Sequence, residues 1–167
     1  FNDFKDLYGN VDVVSIAVPT PLHFKIGKDF LEHDIDVLIE KPITTTLDEA
    51  DELIRIADKR GLILQVGHLE RFNPAVMAIA HHVNHPIFIE SDRLALFNER
   101  GLEVDVILDL MIHDIDIALH IVEAPLEHIR ATGVSVLTPL PDIANARLEF
   151  ANGAIANLSA SRISIRN

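Results

Sequence analysis

Two short clusters in this 167-residue chain hold side chains able to move protons. The first is Glu40-Lys41-Pro42, which ends the apolar run Val37-Leu38-Ile39. Three successive branched apolar residues read as a strand buried on both faces, the pattern of a parallel sheet. An acid and a base at its carboxyl end stand where open α/β sheets bind ligands, because the loops leaving the strand tips form the crevice. Pro42 stops the strand and biases Lys41 towards an extended backbone, so the ammonium is held. A strand-end ion pair that keeps the edge soluble is the other reading open to this hexapeptide.

The second cluster is Asp109-Leu-Met-Ile-His113-Asp114-Ile-Asp116 within a long amphipathic helix expected over Val104 to Val122. Asp109, His113, Asp116 and His120 are spaced by four, three and four and fall on one helical stripe, leaving Leu108, Ile112, Ile115, Leu119 and Val122 to bury. A solvated stripe is usually built of Lys and Glu; this one is short acids and imidazoles. Histidine titrates near neutrality and a carboxylate one turn away can orient it, which is what a general acid or base needs. The competing readings are a helix face whose His and Asp bond one another, and a cation held by Asp109 and His113. With no H-E-x-x-H and only Asp116 as a third donor, no metal is assigned. Nucleophilic hydrolysis lacks its parts: there is no cysteine and no G-x-S-x-G, and Ser159, Ser161 and Ser164 alternate as the exposed face of a last strand.

The elements needed to position these clusters come in order. Asn2 to Tyr8 reads as the end of a helix stopped at Gly9-Asn10, and Val11 to Val18 as a strand leading into Pro19-Thr20-Pro21. A helix with Leu22, Ile26, Phe30 and Leu31 inward returns to the Val37 strand. Thr46 and Glu49 form a capping box for a second helix, with Leu47, Ala50, Leu53, Ile54 and Ala57 inward, ended by Gly61 and followed by a strand over Leu62 to Val66. This alternation means parallel strands with right-handed crossovers. After Gly67 come a polar link, a helix to about His82, a strand from Pro86 to about Leu96, the long helix, and extended segments near Glu127 to Leu137, Ile143 to Phe150 and Ala154 to Ile163. Asn152-Gly153 is a two-residue hairpin signal. The fold class expected is α/β plus α+β, over 1–70 and 71–167: the C-terminal part of a Rossmann-type parallel sheet, then a domain with an open, largely antiparallel sheet. The net charge of −12 speaks against nucleic acid or an anionic membrane as partner. No apolar run approaches about 18 residues, and the absence of cysteine suits the cytoplasm.

Taken together, Val18-Pro19-Thr20-Pro21-Leu22-His23, Glu40-Lys41-Pro42 and Asp109-x-x-x-His113-x-x-Asp116 closely resemble the Gfo/Idh/MocA family of NAD(P)-dependent oxidoreductases, over essentially the whole chain. The resemblance implies hydride transfer between NAD or NADP and a hydroxyl carbon of a sugar or polyol. It makes Lys41 and His113 the acid/base pair, with Asp109 orienting or assisting, and lays Pro19, Thr20, His23, Glu40 and Lys41 along the cofactor. His113 would take the hydroxyl proton as hydride leaves, and Lys41 would polarise the same oxygen. Gly67 to Ala75 looks most like members that oxidise C3 of UDP-N-acetylglucosamine or related nucleotide sugars, with Arg71, Asn73 and Asp116 as substrate contacts. For Arg71 a salt bridge within the link reads equally well. Inositol or free-sugar oxidation is the alternative within the family, and a homo-oligomer through the C-terminal sheet is expected. The alternative outside enzymology is a catalytically silent oligomerisation or ligand-binding module.

One departure is plain. A dinucleotide fold needs a Gly-rich turn after its first strand and an acid after its second. The seven glycines, at 9, 27, 61, 67, 101, 133 and 153, include no G-x-G. With the start at Phe1, this implies an internal segment whose opening βαβ lies upstream and whose sheet continues past Asn167. The residue that chooses NAD over NADP is not among these 167.

Overall fold

The computed structural model describes residues 3–99 and 101–164. The chain divides into two units, Phe1–Gly67 and His68–Asn167.

In the first unit three parallel strands, β1 (Val13–Ile16), β2 (Asp36–Glu40) and β3 (Leu64–Gly67), lie side by side in sequence order. Helix α1 (His23–Glu32) joins the first two and α2 (Leu47–Arg60) the last two. Ile16 pairs with Ile39 and Glu40 with Gly67, which brings the carboxyl ends level. Val37 and Ile39 are buried while Leu38 between them is half-buried, so one face of β2 is the tighter. Each such aliphatic side chain removed from water contributes about 1.5–3 kcal/mol. Phe30 and Leu31 of α1 and Leu53, Ile56 and Ala57 of α2 complete this core.

Several local expectations need correcting. Phe4–Leu7 is a single 3-10 turn with its own capping box from Asp3, not the end of a longer helix; Asn2 lies outside the described residues. Leu22, Leu47 and Ile54 face solvent at 45%, 83% and 47% exposure. On α2 the inner stripe runs through Leu53, Ile56 and Ala57, and Leu47 sits in the first turn before that stripe begins. The capping box at Thr46 is half made: its hydroxyl accepts from the Glu49 N–H at 3.3 Å, but the Glu49 carboxylate accepts from Thr45 instead. Gly61 ends the helix in the left-handed region as expected.

In the second unit, α3 (Pro74–His82) precedes a sheet in the order β4 (Phe88–Leu94), β7 (Ile155–Ser161), β6 (Ile143–Phe150), β5 (Leu126–Val134). β5, β6 and β7 are antiparallel neighbours and β4 joins β7 in parallel, so the sheet is mixed. Helix α4 (Ile112–Val122) packs with Met111, Ala118 and Val122 on the small apolar face Ala144, Ala146, Leu148, Ala156, Leu158 and Ala160. The β6–β7 turn does contain Asn152-Gly153, but only Gly153 has positive φ (82°) and the Gly153 N–H donates to Phe150 O, a longer hairpin than the two-residue type. Ser161, expected on the exposed face of the last strand, is buried.

Below the sheet lies a buried ion pair. Arg162 Nε donates to Asp142 Oδ1 at 2.9 Å, with 4% and 0% of the two side chains exposed. Arg162 also donates to the Val104 carbonyl at 2.9 Å and to Thr138 Oγ1 at 3.1 Å, and Asp142 Oδ2 accepts the N–H groups of Val136, Leu137 and Thr138. The pair thus ties the β5–β6 loop to the segment leading into α4. Burial pushes the Asp142 carboxyl up, but those N–H donors and the Thr138 hydroxyl outweigh it and hold the group well below the usual carboxylate range.

Candidate active site

In the first unit the residues of interest gather at the strand tips. Chain leaving β1 passes Pro19, starts a short turn at the buried Thr20, and enters α1 at His23. Chain leaving β2 carries Glu40 and Lys41, then a cis bond to Pro42. The two exits are fastened by His23, 1% exposed, whose Nδ1 lies 2.8 Å from Pro42 O and Nε2 2.8 Å from Val18 O. The Glu40 carboxylate lies over Gly67 at the tip of β3, where a Cβ would stand 3.3 Å from it. Glycine at 67 therefore leaves room for the acid.

In the second unit the polar helix is not a uniform α-helix. Ile107–Met111 form a wide π-type turn, with Asp109 inside it and His113 in the α-helical turn beyond. Such turns concentrate at functional sites. The extra residue changes the phase between Asp109 and the α-helical residues after it, so the single four-three-four stripe is not realised. Leu119 is exposed at 41%, and Asp114 and Asp116 are buried at 8% and 7%. Asp109 has its own clearance: at Gly101 (φ +75°) a Cβ would come within 3.3 Å of its carboxylate.

The two buried acids sit in matching arginine forks. Arg71 donates to Asp116 through Nε at 2.7 Å and Nη2 at 2.6 Å. Arg93 donates to Asp114 through Nε at 2.7 Å and Nη2 at 3.0 Å, and Ser91 adds a bond at 3.0 Å. Each carboxylate, by accepting these bonds, holds its guanidinium above the already high arginine value. His68 Nδ1 stands 3.9 Å from Asp116 Oδ1. Asn73 caps α3 through its Oδ1 and the Ala75 N–H. The structure thus brings Arg71 and Asp116 together as a link-region ion pair, and places Asn73 at a helix start.

Sequence reasoning missed the Arg93–Asp114 fork and His68. The signal for the fork was available: in β4, Ile89, Ser91 and Arg93 alternate onto the face that meets Ala156, Leu158 and Ala160, and an arginine there needs a buried acid. The wide turn has no residue signature in the sequence.

No cluster of three or more His, Asp or Glu suited to a metal exists among the described residues. For a nicotinamide cofactor the test is the strand tips. Pro19, Thr20, Glu40 and Lys41 stand at these tips with the clearance over Gly67, and the 167 residues contain no G-x-G of the kind that cradles a pyrophosphate.

Residues 1–68 match the family described as "Oxidoreductase family, NAD-binding Rossmann fold", and residues 76–167 match the "GFO/IDH/MocA C-terminal domain". UDP-N-acetylglucosamine 3-dehydrogenase of Acidithiobacillus ferrooxidans is 42% identical over 158 residues, 94% of this chain and 50% of that protein. Its solved structure superposes with a TM-score of 0.91 at 40% identity, covering 99% of this chain and 55% of that one. The NAD(+)-dependent scyllo-inositol 2-dehydrogenase of Bacillus subtilis is 28% identical over 172 residues, 92% of this chain and 49% of that protein. The chain spans about half the length of these relatives. With a parallel sheet tipped by Glu40-Lys41, a mixed sheet beneath a polar helix, and both domain matches in the expected order, the chain belongs to the Gfo/Idh/MocA oxidoreductase family.

Proposed function

We propose that the protein carrying this chain is an NAD- or NADP-dependent dehydrogenase that oxidises a CH–OH carbon of a nucleotide sugar, UDP-N-acetylglucosamine or a near relative. The observation that carries the reading is Lys41 held at the carboxyl end of a parallel sheet in a chain 42% identical to a UDP-N-acetylglucosamine 3-dehydrogenase. A bound nicotinamide supplies the acceptor for the hydride leaving the sugar carbon. Lys41 donates a hydrogen bond to the hydroxyl oxygen and stabilises the negative charge that grows there as the O–H proton leaves. His113 accepts that proton, and Asp109 orients the imidazole. Pro19, Thr20, His23 and Glu40 form the cofactor side. Arg71, whose side chain is 43% exposed although Asp116 occupies its Nε and Nη2, meets a substrate oxygen through Nη1. Asn73 and Asp116 complete the substrate side.

Lys41→Met and His113→Ala in the full-length parent test this. Each should lower turnover about 10²–10⁴-fold, the usual yield of general acid–base catalysis, while cofactor still binds; unchanged rates in both would sink the assignment. Turnover of free inositol in preference to the nucleotide sugar would move the substrate to the class of the Bacillus subtilis relative.

A second copy of the chain is the partner of the sheet face turned away from α4. Phe88, Leu94, Val134 and Ile143 are exposed there at 57%, 54%, 52% and 39%. The β4 side carries Glu90 and Asp92, and the β5–β6 side carries His128, Arg130 and Arg147 around a single acid, Glu149, which accepts from Arg147 at 2.9 Å. A two-fold face-to-face pairing sets the acids of one copy against the bases of the other. Light scattering should give a dimer or larger that Phe88→Asp with Val134→Asp disperses, and a wild-type monomer at high concentration would refute it.

A further inference from the structure

We infer that Arg162 is the positioning residue for the Asp109 carboxylate, holding in place the segment Gly101–Val104 against which that acid stands. A guanidinium carries five N–H groups in a rigid plane, and in Arg162 each of the five meets an oxygen. Nε donates to Asp142 Oδ1 at 2.9 Å, Nη1 to Val104 O at 2.9 Å and to Gly101 O at 3.4 Å, and Nη2 to Thr138 Oγ1 at 3.1 Å and to Pro141 O at 3.4 Å. With 4% of its side chain exposed and 0% of that of Asp142, solvent does not compete for these donors. The carbonyls therefore cannot drift without stranding a buried N–H.

Two of the five oxygens lead to Asp109. Gly101 has φ +75°, and a Cβ there would stand 3.3 Å from Asp109 Oδ2 and 3.4 Å from Oδ1, so the backbone of Gly101 is one wall of the space the carboxylate occupies. Val104 ends the same segment, and the approach to the wide turn begins directly after it. The Val106 N–H donates to Pro141 O at 3.0 Å, Asp105 Oδ1 accepts from the Ile107 and Leu108 N–H groups at 3.0 and 2.9 Å, and the Asp105 carbonyl accepts the Asp109 N–H at 3.0 Å. Pro141 O thus receives both Arg162 and the chain that carries Asp109. From the end of β7, Arg162 fixes the wall beside the acid and the backbone that roots it. A lysine at 162 would keep the charge beside Asp142, but its three donors sit on one nitrogen and cannot span this set of oxygens. Where Asp109 orients His113 as proposed above, Arg162 sets how well it does so; that catalytic part rests on the proposed reaction, and the positioning of the carboxylate does not.

The test uses the 167-residue chain labelled with ¹³C at its aspartate carboxyls, the Asp109 signal being assigned by its loss in Asp109→Asn. Arg162→Lys should move that signal and leave in place those of Asp114 and Asp116, which Arg93 and Arg71 hold. Thr138→Val, which takes the hydroxyl from Nη2, should move it by less. An Asp109 signal unmoved in folded Arg162→Lys, or in Thr138→Val should the lysine variant not fold, would overturn the inference, whether or not the parent is a dehydrogenase. In the full-length parent, Arg162→Lys should lower kcat by roughly 10- to 10²-fold, the order expected when a catalytic group is displaced by about 1 Å, with KM for the substrate unchanged. In an Asp109→Asn background it should lower kcat no further. Unchanged kcat, or the same loss in both backgrounds, would refute the catalytic part.

Discussion

Gly27, in the middle of α1, offers a measurable contest between two opposed effects. In an exposed helix interior Gly→Ala is worth about 0.8–1.0 kcal/mol in favour of alanine. Here a Cβ at residue 27 would stand 2.8 Å from Ile39 Cδ1, and Ile39 is 0% exposed, so the methyl cannot swing into solvent. Overpacking of this kind costs about 1–3 kcal/mol. Gly27→Ala should therefore be between neutral and about 2 kcal/mol destabilising, despite its helix propensity. Ile39→Val removes the clashing methyl and alone costs about 0.5–1.5 kcal/mol. In the double variant the clash is gone and the propensity gain remains, so it should lie within roughly 1 kcal/mol of wild type. The coupling free energy, read from urea unfolding of the four proteins followed by circular dichroism, should be about 1–3 kcal/mol. Coupling within about 0.5 kcal/mol of zero, the ordinary limit of additivity, would show that α1 shifts to admit the methyl and that the close approach of α1 to β2 is not enforced.

Two further outcomes concern the buried charges of the second unit. Arg93→Met strips the Asp114 carboxylate, 8% exposed, of both guanidinium bonds and leaves it the Ser91 hydroxyl. It should cost about 3 kcal/mol, near the lower end for breaking a buried pair because Arg93 is itself 30% exposed; Asp114→Asn in the Arg93→Met background should recover part of it, and equal stability of the two backgrounds would contradict the fork. Asp142 is held below its ordinary value in the fold, so its stabilisation is fully present above the unfolded carboxylate pKa of about 3.9 and is lost as pH falls below it. The stability gap between wild type and Asp142→Asn, measured by thermal unfolding, should therefore close in acid; a gap that widens there would reverse the sign.

The sequence made the α/β alternation legible because Val37-Leu38-Ile39 is too apolar for anything but a buried strand and because Thr46 and Gly61 are strong helix boundaries; of the run Val11 to Val18 only Val13–Ile16 is strand, and Val13 is 60% exposed. Lys41 and His113 are candidates for the same reason: a base at a strand tip and an imidazole among helical acids stand out by type. What misled was periodicity at helix ends. At about 100° per residue, Leu22, just before α1, lies well off the buried face through His23, Gly27, Phe30 and Leu31, and Leu47 lies equally far off the one through Leu53, Ile56 and Ala57. The long helix misled more deeply, since the stripe drawn through Asp109, His113 and Asp116 assumes a constant 100° per residue, and the wide turn at Ile107–Met111 breaks it. Arg71 and Asp116 are 45 residues apart in sequence, and no local pattern could announce that they meet.

That wide turn has a genetic consequence. A π-type turn is an α-helix with one residue too many, so any single deletion between Ile107 and Met111 would restore regular hydrogen bonding and rotate the segment upstream of it by about 100° relative to His113. Asp109 would leave its clearance at Gly101, while the Arg93 and Arg71 forks, whose acids lie downstream, would keep their register. A relative lacking one residue at this point would therefore keep the two clamps in register and place the acid of residue 109 differently.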